Sequence, residues 1–138
     1  MNKQERIEKA VALFKEGYNC SQSVVAAYAD LYGFTPEQAL RMAASFGGGI
    51  GRMREICGAA CGMFLLAGLE RSAVSGADRE SKAANYALVQ ELAAKFKEVP
   101  FLHEESFIRV VQKVVQQMVR GEQVVRNVGT CVDIRVHA

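Results

Sequence analysis

The sequence predicts an all-α fold, a compact bundle of about five to six helices. Three observations predict it. Apolar residues recur at helical spacing through successive segments. Residues that start and stop helices bracket those segments. Only two prolines occur in 138 residues, half of which are hydrophobic. That length suits one domain, residues 1–138, and suffices to bury a core.

The elements follow in order. A first helix is expected from about Lys3 to Glu16, with Ile7, Ala10, Val11 and Phe14 on one face and Gly17 as its stop. Asn19 or Ser21 can cap a second, running to about Leu31 before Gly33. Thr35-Pro36-Glu37-Gln38 carries a cap, a first-turn proline and a capping-box glutamine, and opens a third that ends near Phe46. A very apolar fourth helix, about Met53 to Arg71, is expected at the centre of the bundle. Asp78 caps a fifth to about Glu98, with Ala84, Leu88, Leu92 and Phe96 inward. A sixth, about Glu104 to Arg120, turns Ile108, Val111, Val115 and Met118 inward. Residues 122–138 fit either a helix or an extended, irregular tail.

A formal charge of +2, with basic and acidic residues interspersed, gives no footprint for nucleic acid. The start of the chain is charged and lacks the apolar run of a secretory signal. The longest apolar run, Met63 to Gly68, is too short for a bilayer span. The expectation is a cytoplasmic protein with no membrane and no nucleic-acid partner. There is no Ser/His/Asp set, no paired carboxylates and no histidine cluster, since His103 and His137 stand alone.

The chemistry available is sulfur chemistry. Four cysteines stand at Cys20, Cys57, Cys61 and Cys131. Without an export signal, such cysteines point to catalysis or metal binding rather than structural disulfides. Cys57 and Cys61 are four apart on an expected helix, which places them on one face, one turn apart. A direct disulfide between them demands distortion at that spacing if both are helical. Gly58 and Gly62 lie beside them, and glycine costs stability inside a helix, so a close packing partner or a bound group is expected there. Cys20 sits at a helix start, where the dipole and unpaired amides stabilise a thiolate.

The segment Gly47-Gly48-Gly49-Ile50-Gly51-Arg52 holds four glycines in five positions and precedes a helix. Two uses fit it. Its backbone amides, at Gly48, Gly49 and Gly51 with Arg52 beside them, could cradle an anionic cofactor. Alternatively the glycines serve a tight crossing beside the cysteines, which is the favoured reading. With no strand before it and no Lys-Ser/Thr after it, the segment is neither a P-loop nor a dinucleotide fingerprint.

Taken together, Asn19-Cys20-Ser21-Gln22, Phe46 to Arg52, and Glu55-Ile56-Cys57-Gly58-Ala59-Ala60-Cys61-Gly62 resemble the family described as a putative redox-active protein, C_GCAxxG_C_C. The likeness runs over about residues 5–98. It implies a helical protein of about this length. It puts Cys20 in the family's first cysteine position and Cys57 in its Cys-Gly-Ala-x-x-Gly motif, with Gly58, Ala59 and Gly62 matching. The family's third cysteine is expected near Val99 to His103, where this chain has none. Cys131 would be the fourth. Cys61 is additional and could substitute for the missing one.

Two classes of function remain open on the sequence. In the first, Cys20, Cys57 and Cys61 carry thiol–disulfide exchange with a redox partner, or with Cys131 they bind an iron–sulfur cluster or zinc. In the second, the chain is a non-catalytic helical binding or oligomerisation module, such as a homodimer, with structural cysteines.

Overall fold

The computed structural model describes residues 1–98 and 104–119, with the side chains of residues 104–107 left aside. Within that span every regular element is a helix. Its α-helices are α1 (Lys3–Lys15), α2 (Cys20–Ala26), α3 (Pro36–Ala43), α4 (Gly58–Glu70), α5 (Arg79–Lys97) and α6 (Glu104–Met118). Short 3-10 turns occupy Ala29–Tyr32 and Ala44–Phe46. Among the described residues there is no strand, and no helix is long and apolar enough to cross a membrane. The expected tail, with Cys131 and His137, and the connection with His103 lie outside the described residues.

Helix starts follow their cap chemistry. The Asn19 side chain accepts from the Gln22 N–H while the Gln22 side chain accepts from the Asn19 N–H. Thr35 and Gln38 repeat the arrangement, and Asp78 caps α5 by accepting from Ser81. Each cap satisfies amides that the helix cannot pair internally.

One hydrophobic cluster runs through Ala10 and Val11 of α1, Val24 of α2, Met63 and Leu66 of α4, Leu88 and Leu92 of α5, and Ile108, Val111 and Val115 of α6. The four α6 positions expected inward are all buried. Nine of the residues of α4 are buried, from Gly58 to Glu70, so this helix is the centre of the bundle. A second, smaller cluster joins Val25 and Ala29 to Ala39 and Ala43 of α3.

Three helix boundaries depart from the sequence expectation, each because a side chain or a backbone reversal intervenes. α2 stops at Ala26 rather than near Leu31. Arg6, buried against the Tyr28 ring, donates to the Ala27 carbonyl at 2.8 Å, an acceptor the continuing helix would need. Leu31 N–H turns to the Tyr28 carbonyl instead, giving a 3-10 turn. α3 likewise stops at Ala43. Gln22 Nε2 donates to the Leu40 carbonyl and Asn19 Nδ2 to the Ala44 carbonyl, both at 3.0 Å. α4 starts at Gly58, five residues later than Met53. The cause is the backbone at residues 48–54, described below.

A buried polar group lies at the C-terminal end of α4. Tyr32 Oη donates to Glu70 Oε2 at 2.6 Å, with Glu70 only 2 % exposed. Burial first, and then the Glu70 charge, push the Tyr32 hydroxyl far above its ordinary value. Beside it, the Arg6 guanidinium grips Asp30 through two bonds of 2.7 and 3.1 Å.

Candidate functional site

The glycine segment is a backbone reversal of left-handed sense. Gly48, Gly49, Ile50, Gly51 and Arg52 have φ of 66°, 73°, 65°, 56° and 66°, and Arg54 has 61°. Gly48 and Gly49 adopt this region without a steric penalty, whereas a branched residue such as Ile50 is an outlier there. The turn is stitched by its own hydrogen bonds. Gly51 N–H donates to the Ser45 carbonyl at 2.8 Å and Arg52 N–H to Gly47 at 3.2 Å. Arg54 and Glu55 donate to Gly48 and Gly49 at 3.3 and 3.1 Å. The amides of residues 50–55 are therefore turned onto the turn's own carbonyls. That leaves the anion cradle expected at Gly48, Gly49, Gly51 and Arg52 with few donors to offer, and favours the tight-crossing reading.

The crossing itself is visible at two glycines. A Cβ on Gly47 would lie 2.5 Å from the Asn19 side chain. A Cβ on Gly58 would lie 2.8 Å from the Phe46 carbonyl oxygen and 3.4 Å from the Gly47 Cα. The chain at Phe46–Gly47 is thus clasped between the start of α2 and the start of α4. Farther along, a Cβ on Gly62 would meet the Ser21 carbonyl at 3.1 Å, so α2 and α4 also touch directly. The close partner expected for Gly58 and Gly62 is this protein contact.

These contacts gather the three described cysteines at one end of the bundle. Cys20 is the first residue of α2, between Asn19 and Ser21, and is half-buried against the main core. Cys57 occupies the N-cap of α4 and is exposed. Its φ of −52° and ψ of 131° are not helical, and its side chain makes no cap hydrogen bond. Cys61 is buried one turn later, its N–H donating to the Cys57 carbonyl at 3.0 Å. Both Cys57 and Cys61 are unbridged thiols. Burial pushes the Cys61 thiol up, and the nearby Cys57 pushes it further.

The sequence expectation that both cysteines lie inside one helix is corrected here. Only Cys61 does. The start of α4 is displaced because left-handed φ at Arg52 and Arg54 cannot continue into a right-handed helix. The objection to a disulfide between two helical residues loses force when one of them has left the helix.

Among the described residues, no group of three or more His, Cys, Asp or Glu side chains is placed to hold a metal ion. Cys20, Cys57 and Cys61 alone therefore do not build the four-ligand site of structural zinc or of an iron–sulfur cluster. The remaining expected ligand, Cys131, lies outside the described residues.

A family model for C_GCAxxG_C_C, putative redox-active protein, matches residues 18–134, most of the chain. The chain belongs to the C_GCAxxG_C_C family. The match reaches well past the region near residue 98 where the sequence likeness was expected to fade, and it begins at Tyr18 rather than near residue 5. No curated protein and no solved structure matches the chain. The family's name carries a redox description, and the residues that carry its motif, Cys57-Gly58-Ala59 and Gly62, are those forming the clasp and the start of α4.

Sequence reasoning missed the residues that hold this end together. Asn19 and Gln22 were legible as a cap, yet each also reaches across to a carbonyl of α3 or the turn after it. No local pattern signals that second role, since the carbonyls they reach lie 25 and 18 positions away.

Proposed function

We propose that this protein carries out dithiol–disulfide exchange, with Cys57 as the attacking thiol and Cys61 as the resolving thiol. The observation that carries the reading is the contrast between them one turn apart: Cys57 exposed at the N-cap of α4, Cys61 buried with its thiol held protonated. An attacking thiol needs access, which Cys57 has at the exposed start of α4. A resolving thiol needs proximity to the first sulfur and protection from outside reagents.

The Cys57 thiolate attacks one sulfur of a substrate disulfide, forming a mixed disulfide and releasing the other substrate sulfur as a thiolate. Cys61 then loses its proton and attacks the Cys57 sulfur. A Cys57–Cys61 disulfide forms and the second substrate thiol departs. The substrate is reduced by two electrons and the cysteine pair is oxidised by two. The reverse sequence oxidises a substrate dithiol. Cys20, at the adjoining helix start, lies at the same end without being required for either step. A reducing, cytoplasmic setting belongs to the same proposal, because the pair must be returned to thiols after each turnover.

The test is trapping. Reduced protein is offered a small aromatic disulfide. Cys61→Ser is expected to accumulate a mixed disulfide on residue 57, seen by mass spectrometry, and Cys57→Ser to form none. A Cys57→Ser protein that turns over as well as the parent would overturn the assignment. Three inert thiols at Cys20, Cys57 and Cys61 would leave the helical binding module.

A further inference from the structure

We propose that Asn19 is a positioning residue that maintains the difference in access between Cys57 and Cys61. Its side-chain amide works at both ends. Oδ1 accepts from the Gln22 N–H at 2.9 Å and caps α2. Nδ2 donates to the Ala44 carbonyl at 3.0 Å, which fastens the turn leading into Phe46 and Gly47 to the start of α2. The fit is close, because a Cβ on Gly47 would lie 2.5 Å from the Asn19 side chain.

Both bonds bear on the first turn of α4. Gly58 rests on the Phe46 carbonyl and the Gly47 Cα. Gly62 rests on α2, where an added Cβ would meet the Ser21 carbonyl oxygen and the Val24 side chain, both at 3.1 Å. Asn19 holds the first support through Ala44 and the second through the cap of α2. Cys61 lies between the two supported glycines and is buried. Cys57 lies one residue before the first of them and is exposed. The Cys57 side chain makes no cap bond, so closure of this turn depends on the packing around it. Opening the turn breaks the bond from Cys61 N–H to the Cys57 carbonyl and uncovers the buried thiol. The inference deepens the exchange reading and rests on it for its use, because an attacking and a resolving thiol must differ in access.

The test separates the tie to Ala44 from the cap. Asn19→Asp and Asn19→Ser both keep an oxygen that caps α2. Neither keeps the tie: a carboxylate has no proton to donate, and the serine hydroxyl stops one atom short of the Nδ2 position. Gly47→Ala disturbs the same contact with Asn19 intact, and the Gly47 φ of −66° suits alanine. Fully reduced, full-length protein is labelled with iodoacetamide under native conditions and read by peptide mass spectrometry. In both Asn19 variants Cys61 should label about three- to tenfold faster than in the parent, the factor set by one lost neutral hydrogen bond, with Cys57 unchanged. Gly47→Ala should act in the same direction. Thr35→Ala removes the corresponding cap from α3 and lowers overall stability without touching the tie, so it should leave Cys61 at the parent rate. The proposal is overturned if Asn19→Asp and Asn19→Ser label Cys61 no faster than the parent, or if Thr35→Ala speeds that labelling as much as they do. Labelling involves no disulfide, so failure of disulfide trapping with these labelling rates intact would sink the exchange reading alone.

Discussion

Gly58 meets the Phe46 carbonyl so closely that no side chain fits between them: an added Cβ would lie 2.8 Å from the oxygen. Gly68, ten residues on in the same helix, has nothing within 4 Å of that position. Opposite outcomes follow from one kind of substitution. Gly58→Ala should destabilise by about 1–3 kcal/mol, because a backbone carbonyl cannot rotate away. Gly68→Ala should stabilise by about 0.5–1 kcal/mol through helix propensity. Urea unfolding of both variants checks the pair, and equal effects would refute the contact.

The left-handed turn stores strain at side chains that gain nothing visible from it. Arg54 has φ 61° and is exposed. An L-residue there costs about 1–2 kcal/mol, and glycine recovers this less its own entropy in the unfolded chain. Arg54→Gly should therefore raise stability by about 0.5–1 kcal/mol. Thermal unfolding reads the shift, and a drop in melting temperature would mean that the Arg54 side chain itself holds the turn.

The Arg6–Asp30 pair gives stability an acid limb. Hydrogen bonds from Arg6 hold the Asp30 carboxyl below its ordinary range. A lowered folded value means a contribution present above the unfolded value, about 3.9, and lost as pH falls through the folded one. Asp30 is more than half exposed, so its own share is modest, about 1 kcal/mol for Asp30→Asn. Arg6→Ala should cost more, about 2–4 kcal/mol, since it also removes the bond to the Ala27 carbonyl and the packing over Tyr28. Denaturation midpoints between neutral pH and the acid range should converge for Asp30→Asn and the parent.

Cys61 gives the matching alkaline limb. Its thiol is raised by burial and then by Cys57. The contribution is therefore whole below the unfolded thiol value, about 8.5, and lost as pH rises through the higher folded one. Cys61→Ala should flatten that decline. In the native protein, iodoacetamide should label Cys57 well before Cys61, and denaturant should erase the difference; peptide mass spectrometry reads both.

The caps were legible in the sequence because they are local: Asn19, Thr35 and Asp78 each satisfy amides within their own helix. The inward face of α6 was legible because periodicity records burial, as was that of α5 at Leu88 and Leu92, whereas Ala84 and Phe96 are only partly buried. What escaped were events between elements. Nothing near residues 26–31 announces that Arg6, 21 positions before Ala27, takes the Ala27 carbonyl and ends α2. The glycines of 47–51 announced freedom without its sign, so the left-handed φ at Ile50, Arg52 and Arg54, and with it the displaced start of α4, was hidden. Glu70, at the end of an apolar helix, gave no hint of its bond to Tyr32. At the candidate site, the sequence marked the cysteines, but only the fold divided them into an exposed and a buried partner.

The turn at residues 48–52 also bears on chirality. For five residues the backbone follows the mirror image of the hand used by every helix around it. A D-amino acid reaches φ of 65° as readily as its L-form reaches the opposite sign, so the natural occupant of position 50 is a stereoisomer that ribosomal synthesis does not supply. Three achiral glycines and two L-residues stand in for it. A chain assembled chemically with D-isoleucine at position 50 would carry at that point the handedness its own backbone already adopts.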